Sequence, residues 1–217
     1  MYPFSEGSFA PRNAWYVAAF IHEIGRSLVG RTILGEPVVL YRKEDGHAVA
    51  VGGRCPHRHY PLAASCLSGD TIVCGYHGIA FGADGACTDI PSQEFVPRSY
   101  RIPTYPLVEH GMWAWIWPGD PALADPALLP DLAEIGFAGH GDTPVPLFFR
   151  EVACRYQLLN DNLLDLTHLA FLHGSSIGVR ENASTPVEVT EEARVIRGRR
   201  TIIGAPPTPI VASRHPN

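Results

Sequence analysis

Two stretches of this chain hold residues whose types and spacing could do chemistry. The first, residues 54–78, contains Cys55-x-His57 and, after sixteen intervening residues, Cys74-x-x-His77. Each half offers one thiolate and one imidazole. Two sulfurs and two nitrogens suit either one tetrahedral zinc or a two-iron cluster with both cysteines on one iron and both histidines on the other. The spacing favours the cluster. Zinc fingers usually leave two to four residues between their first two ligands, and Cys55-x-His57 leaves one. A Cys and a His from each of two loops can grip a flat cluster between them.

The second stretch, residues 155–174, reads RYQLLNDNLLDLTHLAFLHG. It lacks Pro and ends in Gly, which predicts a helix with a glycine stop. On an ideal helix Asn162, Asp165, His168 and His173 fall within an arc of about 140°, and leucines occupy the rest. That pattern predicts a helix buried on most sides, whose polar groups need partners. A lone histidine there would read as a satisfied core residue. Two histidines with an Asp and an Asn along one side point instead to a metal. His168 and His173 stand about 140° apart on an ideal helix, too wide for one ion. The helix must therefore distort or end before His173, which Gly174-Ser175-Ser176 permits.

The elements that must position these residues are mostly strands. Apolar runs at 31–34, 36–42 and 47–51 are separated by Gly35 and by Glu44-Asp45-Gly46, a strand-and-turn pattern. Asp84-Gly85 is a hairpin signal between 79–82 and 86–88. Trp113, Trp115 and Trp117 alternate with Ala114 and Ile116, which predicts three indoles on one strand face, most simply as packing. Residues 118–146 are rich in Pro, Gly and Asp without a period, as expected of a connection with one helical turn.

Composition bounds the rest. The 217 residues can bury a real core in one large domain or two small ones. Hydrophobic content of 46% and charge of 18% fit a globular protein. Net charge is −5, and only Arg197 to Arg200 forms a basic run, so nucleic acid is not an expected partner. No apolar stretch reaches membrane length, and the first residues show no signal-peptide pattern. Five cysteines, two of them wanted as ligands, leave Cys66, Cys87 and Cys154 as free thiols suited to a reducing cytoplasm.

The pattern CPHR followed by CxYHGxxF, ending at Phe81, resembles the Rieske iron–sulfur motif. Respiratory-chain Rieske proteins place two further cysteines where this chain has Tyr60 and Tyr76, so the resemblance is to the oxygenase or ferredoxin type. Asn162-x-x-Asp165-x-x-His168-x-x-x-x-His173 resembles the mononuclear-iron motif of Rieske non-haem iron aromatic ring-hydroxylating oxygenases, catalytic subunit. The opening Asn13-x-Trp15-Tyr16-Val17 resembles the vanillate O-demethylase-like branch. The resemblance implies an α+β chain: an all-β Rieske domain at 1–118, a connection at 119–146, and at 147–217 the start of a helix-grip-like catalytic domain. It implies a [2Fe-2S] cluster on Cys55, His57, Cys74 and His77, and a mononuclear Fe(II) on His168 and His173. Asp165 would link His77 of one subunit to His168 of the next, with Asn162 near the iron. The family's third iron ligand is an acid further along the chain, and Glu181, Glu188, Glu191 and Glu192 do not match its position. The implied function is the oxygenase component of a system that takes electrons from an NAD(P)H-dependent reductase, with or without a ferredoxin. It would use O2 to hydroxylate or O-demethylate a small aromatic substrate, as a homotrimer in the cytoplasm. The alternative is a Rieske electron carrier or a catalytically silent subunit.

Overall fold

In the computed structural model, residues 10–134, 151–192 and 195–214 are described. The chain divides into two compact units, residues 1–144 and 145–217. The first is built from strands β1 (Tyr16–Phe20), β2 (Val29–Ile33), β3 (Glu36–Arg42), β4 (Ala48–Gly52), β5 (Cys66–Ser68), β6 (Thr71–Val73), β7 (Ala80–Phe81), β8 (Cys87–Asp89), β9 (Thr104–Tyr105), β10 (Leu107–His110) and β11 (Trp113–Ile116). They form three antiparallel sheets, ordered β2-β3-β4-β9, β5-β6-β7-β8 and β1-β11-β10.

The central strand β3 explains how three sheets share one chain segment. Its residues 38–41 are all buried, so it reads as a continuous apolar run with both faces covered. Val39 and Tyr41 face one way, into a cluster with Val51, Leu62, Ile72, Phe81 and both ligand-type cysteines. Val38 and Leu40 face the other, against Ala19, Ala114 and Ile116. Each fully buried aliphatic or aromatic side chain of this kind stabilises the fold by about 1.5–3 kcal/mol. The strand runs expected at 31–34, 36–42 and 47–51 correspond to β2, β3 and β4 within a residue or two. The Asp84-Gly85 turn joins β7 to β8, with Gly85 at φ 77°.

Two expectations about this unit change. Ala114 and Ile116 are the buried residues of β11, and Trp113 and Trp115 lie half-buried on its other face. Trp117 falls beyond the strand, is fully buried, and meets Trp15 edge-on at 5.3 Å. The three indoles are therefore not one stripe. The described part of the connection is also no loose tether. Asp120 and Asp125 cap two 3-10 turns, Pro121–Leu123 and Pro126–Leu128. The Trp15 indole donates to Asp125 O and the Asn13 side chain accepts from Asp120 N, which gives the opening Asn-x-Trp a structural purpose. The remainder of the connection, 135–146, lies outside the described residues.

The second unit contains α1 (Tyr156–Leu164), a 3-10 turn Leu166–His168, α2 (Leu169–Leu172), α3 (Glu181–Ser184), the hairpin of β12 (Glu188–Glu192) and β13 (Val195–Arg199), and α4 (Pro209–Arg214). The single helix expected over 155–174 is broken at Asp165, whose φ and ψ are −86° and 88°. The cause is local. The Asp165 carboxylate accepts from Thr167 N at 3.0 Å, capping the following turn, and a capping Asp competes with helix continuation. Nor is this segment buried: α1 and α2 have no buried residue, and Leu164 and Phe171 are each 83% exposed.

Candidate metal centres

The first site lies in two loops that the β-unit presents side by side. One follows β4; the other joins β6 to β7. Their backbones repeat one another. Cys55 N donates to Tyr60 O and Cys74 N donates to Ile79 O, each five residues on. His59 N donates back to Cys55 O and Gly78 N to Cys74 O, each from four residues on. The fourth residue is left-handed in both: His59 at φ 54° and Gly78 at φ 73°. Gly78 is the residue this conformation favours; His59 adopts it at a small steric cost. Gly53 lets the first loop leave β4, because a side chain there would meet the Pro37 backbone at 2.8 Å.

This repeat brings four donors together. Cys55 and Cys74 are buried, at 1% and 2% exposure, on the floor of the site. His57 and His77 lie above, ring centroids 4.7 Å apart. Burial pushes the Cys55 thiol up, with Cys74 alongside adding to the rise, although the backbone N–H groups of His57 and Arg58 point at its sulfur. Buried paired thiols with amides aimed at sulfur favour the thiolate only when a cation is present, which fits an iron–sulfur group. Two thiols and two imidazoles suit a two-iron cluster, which asks for two donors per iron.

The loops touch through groups that the spacing of ligands did not single out. Ser65 Oγ accepts from Gly75 N at 3.1 Å. The Tyr60 and Tyr76 rings are 5.8 Å apart, and Tyr76 lies over His77 at 3.9 Å. Tyr100 sits near both cysteines, and its phenol is pushed up first by burial and then by the neighbouring thiols. Only Tyr60 and Tyr76 had a sequence signal, as the replacements for two cysteines. Of the other histidines, His59 belongs to the loop just described and His110 Nε2 meets Pro130 O at 2.9 Å.

The second candidate site is in the second unit. Ending α1 at Asp165 removes the angular difficulty, and the His168 and His173 rings are edge-to-face, centroids 5.3 Å apart. His168 Nδ1 lies 2.5 Å from the backbone oxygen of Asp165. With Nδ1 donating there, Nε2 is left free for a metal. His173 caps α2, and its carbonyl accepts from the amides of Ser176, Ile177 and Gly178. Gly178 is essential to that grip, since a Cβ there would come within 1.9 Å of Leu169 O. The Asp165 carboxylate is held below its ordinary range, chiefly by the Thr167 amide and then by the Thr167 hydroxyl. It faces Thr167 rather than His168. Asn162 is exposed on α1. Two imidazoles are thus brought together, and the third donor of a facial triad is not beside them among the described residues.

Residues 14–106 match the family profile of the Rieske [2Fe-2S] domain, and residues 152–216 match that of the vanillate O-demethylase oxygenase C-terminal domain. The dicamba O-demethylase oxygenase component of Stenotrophomonas maltophilia is 40% identical over 86% of this chain and 53% of its own length. A vanillate O-demethylase oxygenase subunit of Pseudomonas sp. (strain HR199 / DSM 7063) is 38% identical over 91% and 55%. A toluene-4-sulfonate monooxygenase system iron-sulfur subunit of Comamonas testosteroni is 40% identical over 88% and 54%. The crystal structure of dicamba monooxygenase bound to dicamba superposes with a TM-score of 0.79 at 36% identity, covering 94% of this chain and 60% of that one. This chain therefore spans little more than half the length of the curated relatives it matches.

Proposed function

The chain belongs to the Rieske non-haem iron oxygenases of the vanillate O-demethylase branch, and from that premise we propose that it serves as an oxygenase component that O-demethylates or hydroxylates a small aromatic acid. The observation behind this reading is the pair of repeated loops that sets two buried thiols beneath two adjacent imidazoles. In this reading Cys55, Cys74, His57 and His77 hold the [2Fe-2S] cluster, and His168 and His173 hold a mononuclear iron with an acid still to be assigned. When bound, the cluster supplies single electrons and the mononuclear iron supplies the chemistry of O2 reduction.

The chain's own residues do the remaining work. The His59 and Gly78 amides fix the cysteine carbonyls and so the height of both sulfurs. The Asp165 backbone oxygen orients His168, and the three amides on His173 O hold the second imidazole. We further assign Asp165 as the bridge between His77 of one subunit and His168 of the next in a homotrimer. Its backbone oxygen meets His168 Nδ1, and its anionic carboxylate, supported by the Thr167 amide, suits a group that accepts from the other imidazole, His77. The electron source is a separate NAD(P)H-dependent reductase. Five cysteines without a disulfide suit a reducing cytoplasm.

O-demethylation balances as follows. A methyl ether, O2, two electrons and two protons give a methyl hydroxylated to a hemiacetal plus water. The hemiacetal then collapses to a phenol and formaldehyde. The test is formaldehyde release from methoxybenzoates with a reductase and NADH. Substrate-dependent formaldehyde matched to NADH consumption supports the reading. A cluster that cycles electrons without any substrate-coupled O2 uptake favours an electron carrier instead.

A further inference from the structure

Resting on that reading, we propose that Tyr60 is a positioning residue for the cluster ligand His77, acting through Gly75 and Tyr76. Tyr60 belongs to the first loop, where its carbonyl accepts the Cys55 amide. Its ring belongs to the second. A Cβ on Gly75 would lie 3.2 Å from Tyr60 Oη and 3.3 Å from Cε1, so the phenol ring is seated directly against the Gly75 backbone. Beside it, Tyr76 lies at 5.8 Å, and Tyr76 in turn covers the His77 imidazole at 3.9 Å. His77 then faces His57 of the first loop at 4.7 Å. The contacts close a circuit: Cys55, Tyr60, Gly75 with Tyr76, His77, His57.

The circuit adds an aromatic hold between the loops to the Ser65–Gly75 hydrogen bond. Tyr76 is 54% exposed, so its ring is not fixed by a core. Tyr60 is packed against the apolar cluster that contains Cys55 and Cys74, and it is the anchored member of the aromatic pair. An offset or tilted pair of this sort also has a preferred geometry, which a packed aliphatic chain would not impose. Tyr60 thus transmits the rigidity of the core to the imidazole plane, the feature on which a His-ligated cluster's magnetic and redox properties depend.

The test compares Tyr60→Phe, Tyr60→Leu and Tyr60→Ala with wild type on the full chain loaded with cluster. Three quantities are read: the g-values of the reduced cluster, its reduction potential, and the rate of bleaching by a chelator. Tyr60→Phe keeps the ring and should match wild type in all three. Tyr60→Leu fills the space without a ring and should shift the g-values and potential. Its bleaching should be about fivefold faster, the size expected from loss of one aromatic pair. Tyr60→Ala should do the same or more; if it fails to fold, the Leu variant decides. Wild-type g-values, potential and bleaching in Tyr60→Leu would overturn the proposal. A wild-type chain that takes up no iron and sulfide at all would instead overturn the functional reading beneath it.

Discussion

At the scale of single residues, Cys55 and Cys74 matter most, because both thiols are buried beside two imidazoles. Cys55→Ser should abolish the visible absorbance of the cluster. Cys66→Ser and Cys87→Ser should leave it intact, since their sulfurs lean on the backbone oxygens of Val73 and Asp89 instead. Tyr41 gives a second prediction, about pH. It is fully buried, its hydroxyl meets Asp70 O at 3.1 Å, and burial followed by the Asp70 carboxylate pushes its phenol up to about 12. The fold prefers the neutral phenol, whose unfolded value is about 10. Its stabilising contribution is therefore complete below about pH 10 and disappears as pH rises towards 12. Tyrosinate absorbance against pH should show a late-titrating group that joins the rest in denaturant; uniform titration near 10 would contradict it. The candidate donors were legible in the sequence because metal chemistry demands particular atoms at particular spacings. Ser65, whose hydroxyl accepts a loop amide, and Thr167, whose amide and hydroxyl donate to Asp165, were not, because such local contacts leave no pattern in a single chain.

At the scale of elements, strands were legible and the long helix was over-read. β3 announces itself as an unbroken apolar run, and Asp84-Gly85 as a turn. The stretch from 155 to 174 has the leucine content of a helix, but Asp165 followed by Thr167 supplies a cap that restarts the backbone. Averaged propensity cannot see that competition. The break is what lets His168 and His173 meet. Two glycines test these elements. Gly85→Ala forces a side chain to φ 77° and to within 2.3 Å of Ile102 O. Urea unfolding should show a loss of about 2 kcal/mol from the β-unit. Gly178→Ala should instead displace His173, weakening Fe(II) binding by about tenfold while the cluster absorbance stays unchanged. Equal Fe(II) affinity in the variant would mean that the amide grip on His173 does not matter to the site.

At the scale of the whole molecule, two compact units each bring candidate metal donors together. The first unit is self-sufficient in its donors: both loops, both thiols and both imidazoles come from residues 54–78. The second brings two imidazoles together, and the relatives it matches extend well beyond the shared segment. Everything proposed about turnover depends on the first centre being a Rieske cluster rather than a zinc knot. The direct measurement is metal and acid-labile sulfide content of anaerobically purified protein, with a reduced-state EPR spectrum on the same sample. The account predicts two iron and two sulfide at Cys55, His57, Cys74 and His77, with the anisotropic signal of a cluster bearing imidazoles on one iron. Stoichiometric zinc without sulfide would contradict it.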